Sequence, residues 1–405
     1  MKQRRTEWIL SLARAASLAS LVLPACGGEA AVATRAPAAA PPLAAPPASV
    51  VADPRDVADT PGATASSIPT PAPAPAPGST ANVDSTASAP LPPPRPTTLR
   101  LGDGELAAGD EACEKGDLDA ARKHYAAAPR GVASTVGLAR VRIARVDVPL
   151  DYAAAKGNAE VAAAAADLLR ATRAVPPFGP AFVELGRARL LLGDAPGAIG
   201  ALQKGTQLLP DEPEAHSQLG VALLATGHAA DAVRELARAE QLDPGSAARR
   251  GNLGTALMMA GRTREAIGEY ETRARMDDGD ARAHSDLGTA LLATQDLERA
   301  LSELERAVKL DPQRPSAHSN LGYALQQAGK MAPAVAEYRE ALRLDPKLVS
   351  AWINLATALA RDPKTRREAR ADLERARLLS PGDPRVKANL EELDALEKAA
   401  PPGAP

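Results

Sequence analysis

An all-α solenoid of stacked antiparallel helix hairpins is the fold class this sequence predicts, and three observations predict it. From Phe182 onward a leucine recurs every 34 residues, at Leu185, Leu219, Leu253, Leu287, Leu321 and Leu355. Each is followed by a small residue: Gly186, Gly220, Gly254, Gly288, Gly322 and Ala356. A fixed period of this length marks a repeated supersecondary unit. Within each period the apolar residues are spaced as on a helical face, in two runs parted by Gly193, Gly227, Gly261 or Gly329, where a helix needs a left-handed terminator. Only 9 of the 405 residues are aromatic, so the core is built from alanine and leucine, which suits closely spaced helices.

The chain divides in order. Met1 to Arg14 is a cationic lead, and Ala15 to Leu23 is an apolar run of nine residues. At about 1.5 Å per residue it is too short to cross a hydrocarbon core of about 30 Å, and its length fits the apolar region of a signal peptide. It ends in Leu23-Pro24-Ala25-Cys26-Gly27, which resembles the bacterial lipobox. That resemblance implies residues 1–25 as a lipoprotein signal peptide and Cys26 as a lipidated new N-terminus. It also implies a lipid-anchored protein of the bacterial cell envelope, at the outer membrane facing the periplasm. An ordinary secretory signal with a chance cysteine is the alternative.

Residues 26–97 begin with that cysteine and continue as a Pro/Ala-rich linker. Seventeen of the 37 prolines stand between Pro37 and Pro96, and the stretch has no aromatic residue. Proline fixes φ and lacks the amide donor, so the composition predicts a disordered, semi-stiff spacer with polyproline II character. Such a spacer would hold the folded part away from a lipid surface.

Residues 98–178 read as degenerate helical units. Gly116, Ala121 and Tyr125 match the second half of a repeat; Val136 to Val146 and Ala159 to Ala174 look helical, separated by an insertion around Pro149 to Asn158. Residues 179–382 hold six units of about 34 residues. Alanine recurs at Ala198, Ala232, Ala266, Ala300 and Ala334, a large residue follows at Leu202, Leu236, Tyr270, Leu304 and Tyr338, and Pro210, Pro244, Pro312 and Pro346 close most units. Arg273 stands where the third unit's second helix otherwise has a small residue, which predicts a looser unit. Residues 383–405 read as a capping helix, Pro384 to Lys398, and a disordered tail.

The period and the order of large, small, alanine, aromatic and proline positions resemble the tetratricopeptide repeat family. The resemblance implies a right-handed superhelix whose first helices line a concave groove for a protein or peptide. At the corresponding positions the sequence offers Val221, Leu224, Thr255, Met258, Thr289, Leu292, Tyr323 and Gln326 as groove residues. Lysine and asparagine are absent from these slots, so no clamp for acidic C-terminal tails is expected. Met258 and Met259 beside Leu224 and Leu292 predict an adaptable apolar strip.

Chemistry is sparse. His216, His284 and His318 occupy one slot in different units, but equivalent positions in stacked hairpins lie about 10 Å apart, a helix-packing distance, whereas ligands sit about 2 Å from a metal ion. They read as structural histidines. Cys113 lies in a helical run and reads as a small buried hydrophobe. There is no phosphate loop, nucleophile elbow or paired carboxylate, so neither an enzyme nor a cofactor is expected. From Thr98 onward the net charge is only −3, which disfavours nucleic acid as a partner. The reading is a non-enzymatic scaffold or adaptor, expected to act in assembly of envelope machinery, with no small-molecule substrate. Its alternatives are a regulatory or substrate-presenting subunit of a glycosyltransferase or cell-wall hydrolase, and a self-associating spacer.

Overall fold

The computed structural model describes residues 99–146 and 153–398. The expected signal peptide, Cys26, the linker to residue 97, residues 147–152 of the insertion and the tail from 399 lie outside the described residues. Within them the chain is an all-α solenoid of helix hairpins, and the described residues contain no strand. The hairpins pair α1 (Glu105–Glu114) with α2 (Leu118–Ala127), α3 (Val132–Ala144) with α4 (Ala159–Ala171), α5 (Gly179–Leu191) with α6 (Ala195–Leu208), and α7 (Pro213–Ala225) with α8 (Ala229–Leu242). They continue with α9 (Ala247–Met259) and α10 (Thr263–Met276), α11 (Ala281–Ala293) and α12 (Leu297–Leu310), α13 (Pro315–Gln327) and α14 (Met331–Leu344), and α15 (Val349–Leu359) and α16 (Arg366–Leu379). A last helix, α17 (Pro384–Lys398), follows alone.

The five hairpins from α5–α6 to α13–α14 close on one seam. The glycine after the repeated leucine lies under the large residue of the second helix, so a Cβ added at Gly254 would meet the Tyr270 ring at 2.5 Å and one at Gly322 the Tyr338 ring at 2.7 Å. The two helices come this close because neither glycine nor the buried alanines Ala198, Ala232, Ala266, Ala300 and Ala334 hold them apart. The same pairing joins Gly109 to Tyr125 in the first hairpin.

The first helices also pack on each other from hairpin to hairpin, α5 on α7 and α13 on α15, while successive second helices do not pack to a comparable extent. The first helices therefore form the tighter, inner face and the second helices the outer one. At the C-terminal end α17 packs on α15 and α16 and buries Val386 and Leu393. The helix α3 starts four residues before the expected Val136, because the Ser134 hydroxyl bonds the Gly131 main chain and caps the turn. The helix α4 stops at Ala171, three residues short of Ala174, ahead of Pro176 and Pro177. The described part of the insertion is tied to α5, Ala153 and Ala155 donating their amides to the carbonyls of Leu190 and Leu191.

The turn inside each hairpin needs one left-handed residue. Gly193, Gly227, Gly261 and Gly329 supply it at φ 76–82°, and Gln295 occupies the same slot at φ 65°. In all five the next amide reaches back to a helix carbonyl, as Asp194 to Arg189 at 2.8 Å and Asp296 to Leu291 at 3.1 Å. Gln295 carries a Cβ in that conformation, which glycine does not. Gln295→Gly is therefore expected to raise the unfolding free energy by about 0.5–1 kcal/mol, and Gly254→Ala to lower it by about 1–3 kcal/mol through overpacking. Urea denaturation of the two variants checks both signs.

Candidate binding face

The residues of the inner face differ in exposure from what the spacing suggested. Of the eight expected groove residues, Val221, Leu224, Thr255, Met258, Leu292, Tyr323 and Gln326 are buried; only Thr289 is half-buried. The predicted apolar strip is thus packing: Leu224, Met258 and Leu292 are 1%, 3% and 8% exposed. Close approach of neighbouring first helices covers them, with Met259 left half-buried. Thr255 and Gln326 are engaged inside their own hairpins. The Thr255 hydroxyl lies 3.2 Å from the Tyr270 hydroxyl, and the Tyr338 hydroxyl donates to Gln326 Oε1 at 2.8 Å. A hairpin with tyrosine in the seam must supply a partner for its buried hydroxyl; the coincidence of Tyr270 with Thr255 and of Tyr338 with Gln326 was the signal available in the sequence.

What the sequence reading missed lies three residues before the Val221 slot. The sixth residue of each repeat, counted from Gly179, is polar throughout: Glu184, Gln218, Asn252, Asp286, Asn320 and Asn354, and, after the one-residue shift of the last unit, Asn389. This row runs along the inner face. Asn320 Nδ2 donates to Thr289 Oγ1 at 3.2 Å and Ser285 Oγ at 3.4 Å in the hairpin before it, and the Thr357 hydroxyl donates to Asn389 Oδ1 at 3.2 Å. Both polar atoms of the buried Asn354 side chain are without a hydrogen-bond partner.

The N-terminal half of this face is charged and closed. Arg140, fully buried, holds Asp110 at 2.8 Å and Glu184 at 2.7 Å, and Arg187 lies 3.4 Å from Glu184. Farther along, Arg249 pairs with Asp243 at 2.5 Å and Glu214 at 3.3 Å, while Gln218 donates to Glu214 at 2.6 Å. Burial pushes the Glu184 carboxyl up, but Arg187 and Arg140 outweigh it and hold that carboxyl below its ordinary value. At Glu214 burial prevails over Arg249 and Gln218, and the carboxyl is pushed up to about 7. The segment before α1, outside any helix, enters this network: Leu101 donates its amide to Asp110 Oδ2 at 2.8 Å, and the Leu99 carbonyl accepts from Arg140 Nη2 at 2.8 Å.

The C-terminal half is more open. Arg282, Asp286, Thr289, Asn320 and Thr357 are half-buried, and Ser316 and Gln327 are exposed. Arg273, at the slot expected to loosen its unit, turns toward the next one and binds Asp280 at 2.8 Å and Asp286 at 3.0 Å; Gly251 leaves the room its guanidinium needs. On the outer face a cleft of about 380 Å³ opens between α6 and α8, with Leu219 and Leu223 as its apolar part and Gln203, Gln207 and Arg234 around it.

The histidine slot has a clear structural purpose. His216, His284 and His318 each place Nε2 3.0–3.2 Å from the carbonyl six residues upstream, those of Pro210, Asp278 and Pro312. Each sets Nδ1 2.6–2.7 Å from a carboxylate nineteen residues downstream, Glu235, Glu303 or Glu337. Both ring nitrogens are occupied, which leaves neither for a metal ion. The Glu235 hydrogen bond is the main cause that raises the His216 pKa. Arg250 makes the same two bonds, to Pro244 O and Glu269, and Trp352 makes the first of them, to Pro346 O at 2.9 Å. Cys113 is fully buried, 3.7 Å from the Tyr125 hydroxyl.

Two family models described as tetratricopeptide repeat match the chain, over residues 223–288 and 285–349. No curated protein matches it. Among solved structures, the crystal structure of the APC/C hetero-tetramer Cut9-Hcn1 is similar at 16% identity over 65% of this chain and 52% of that one, with a TM-score of 0.51. PilF of Pseudomonas aeruginosa is 20% identical over 53% of this chain and 97% of its own, with a TM-score of 0.45. MamA from Desulfovibrio magneticus RS-1 is 22% identical over 42% and 96%, with a TM-score of 0.39. The first of these likenesses is one of fold.

The buried Glu214 makes stability depend on pH. Its folded pKa, about 7, stands above the value of about 4.3 for a free glutamate. The folded state keeps this proton where the unfolded chain has lost it, so the carboxyl's contribution is full below about pH 4 and is lost as pH rises through about 7. Between pH 5.5 and pH 8, Glu214→Gln is expected to gain about 2 kcal/mol relative to wild type. Urea titrations at the two pH values measure the difference, and a gap that does not change with pH contradicts the assignment.

Proposed function

The chain is a tetratricopeptide repeat protein, and from that premise we propose that it is a non-enzymatic scaffold that holds an extended segment of a partner protein along its inner face. The observation that carries this reading is the docking of Leu99–Leu101. On this face a main-chain carbonyl already accepts from an arginine and a main-chain amide already donates to a carboxylate. The row of polar side chains from Glu184 to Asn389 continues the same chemistry past the place where that segment sits. Asparagine and glutamine offer a donor and an acceptor together, which is what an extended peptide main chain asks for.

The partner's place is the open C-terminal half, where Asp286, Thr289, Asn320 and Thr357 are half-buried and Ser316 is exposed. Arg282 and Asp286 give this stretch both signs of charge. Recognition here works through main-chain hydrogen bonds supplemented by hydroxyls, with little apolar surface. The anchor belongs to the same proposal. The apolar run before Leu23-Pro24-Ala25-Cys26 supports export and lipidation of Cys26, and the linker to residue 97 supports a tether that raises the local concentration of scaffold at an envelope surface.

Two outcomes test the proposal. A photo-reactive residue at Ser316 of the full chain in cells is expected to form a protein adduct, weakened about three- to tenfold by Asn320→Ala, the range for one lost hydrogen bond. Adducts that ignore Asn320→Ala and Asp286→Ala would place binding elsewhere. For the anchor, Cys26→Ser is expected to move the protein from the membrane to the soluble fraction on centrifugation. Wild-type protein already in the soluble fraction would remove the lipid from the account while leaving the inner face as it stands.

A further inference from the structure

We propose that the rim of the last hairpin docks on an anionic lipid surface through Arg361, Lys364, Arg367 and Lys398. This surface is separate from the inner face, and it works whether or not Cys26 carries lipid.

The turn that presents these cations is unlike the others. Six residues separate α15 from α16, against three in each of the five hairpins before it, and a short 3-10 helix, Pro363–Thr365, fills the added length. Asp362 caps it, its side chain accepting the Lys364 amide at 2.9 Å, and the Thr365 hydroxyl donates to the Leu359 carbonyl at 2.6 Å. Arg366 then ties the end of α17 to this turn. Its Nε donates to the Ala360 carbonyl at 3.3 Å and its Nη1 to the Leu396 carbonyl at 3.0 Å. Lys398, two residues beyond Leu396, is thereby brought to the same rim.

Positive charge accumulates there because the neighbouring acids are already engaged. Glu368 is held by Arg339 at 2.8 Å, and Asp394 and Glu397 share Arg370. Arg361, Lys364, Arg367 and Lys398 are exposed and pair with no carboxylate among the described residues. Arg366 meets only carbonyls, so its charge adds to theirs, and Asp362 is the one acid left to offset the five. One hairpin earlier Lys330, also exposed, is the only charge in its turn. The opposite rim carries no such excess: before α15 stand Asp345 and Lys347, and before α17 Asp383 pairs with Arg385 at 2.6 Å.

The form of the patch selects its partner. The cations project from a convex rim, without a cleft that would converge them on one small anion or hold an acidic peptide. A nucleic-acid strand follows a basic stripe along a domain, whereas this solenoid is near neutral outside the patch. A bilayer meets a molecule at one rim and attracts clustered lysine and arginine, each raising affinity about fivefold at an anionic surface. The attraction is electrostatic and fades in salt, because the screening length falls to about 3 Å at 1 M.

Amine footprinting of the full chain tests the patch residue by residue, whatever else holds the chain to a vesicle. Lysines are acetylated briefly with vesicles of phosphatidylglycerol and phosphatidylcholine in equal parts, or of phosphatidylcholine alone, and read by mass spectrometry. Lys364 and Lys398 are expected to react about fivefold more slowly with the anionic vesicles, while Lys347, on the opposite rim, and Lys204, on α6, keep their rates. The protection is expected to vanish in about 1 M salt and in Arg361→Glu/Arg367→Glu, both substitutions being at exposed positions. Equal slowing of all four lysines, the same slowing with phosphatidylcholine alone, protection that survives the double substitution, or protection that grows with protein concentration in the absence of vesicles, as a second copy on the rim would give, overturns the proposal.

Discussion

A hairpin of two helices of 13 or 14 residues has no interior of its own, and the contact of a glycine with a large residue across it is what the remaining structure depends on. Where Gly220 lies under Leu236 or Gly254 under Tyr270, the helices approach until their alanines touch. The other face of each first helix must then find cover on its neighbours. That requirement stacks the hairpins, draws the first helices into the tighter row and leaves the second helices outside. The buried state of Leu224, Met258 and Leu292 is a result of this geometry.

Close stacking also encloses charge. Arg140 joins α1, α3 and α5, Arg249 joins α7 to its own hairpin and the turn before it, and Arg273 reaches from α10 to α11. Removing charges from water is costly, and pairs of this kind contribute little net stability; losing one member is expensive because the other stays buried. Their effect here is on register. Each arginine can satisfy its acids in only one alignment of consecutive repeats, so the ion pairs specify how unit follows unit, which apolar contacts between alanine and leucine define less sharply.

The fold was legible because its determinants recur. Leucine, glycine, alanine and proline repeat at one spacing, and hairpin turns fall where Gly193, Gly227, Gly261 and Gly329 stand. The candidate site was legible only in part. Val221, Thr255 and Met258 were assigned to the groove from their position in the repeat, but position says which way a side chain leaves its helix and nothing of how near the next helix comes. Gln218, Asn252 and Asn320 went unnoticed for the opposite reason. Single polar residues on a helix usually meet solvent, and only the stacking sets them in one row. The place of Arg273 could not be read either, because its partners Asp280 and Asp286 belong to the following unit and the gap that admits it comes from Gly251.

Phe182 holds this slot in the first unit, but in the next five His216, Arg250, His284, His318 and Trp352 each use an N–H at the right reach to meet a carbonyl six residues upstream. An imidazole, a guanidinium and an indole answer equally, although they differ in charge, size and aromaticity. To this architecture they are synonyms, whereas a substitution matrix scores them as unlike letters. Lineages of such repeats can drift apart in spelling while the joint between units is kept, so kinship among them is better sought in conserved reach than in conserved identity.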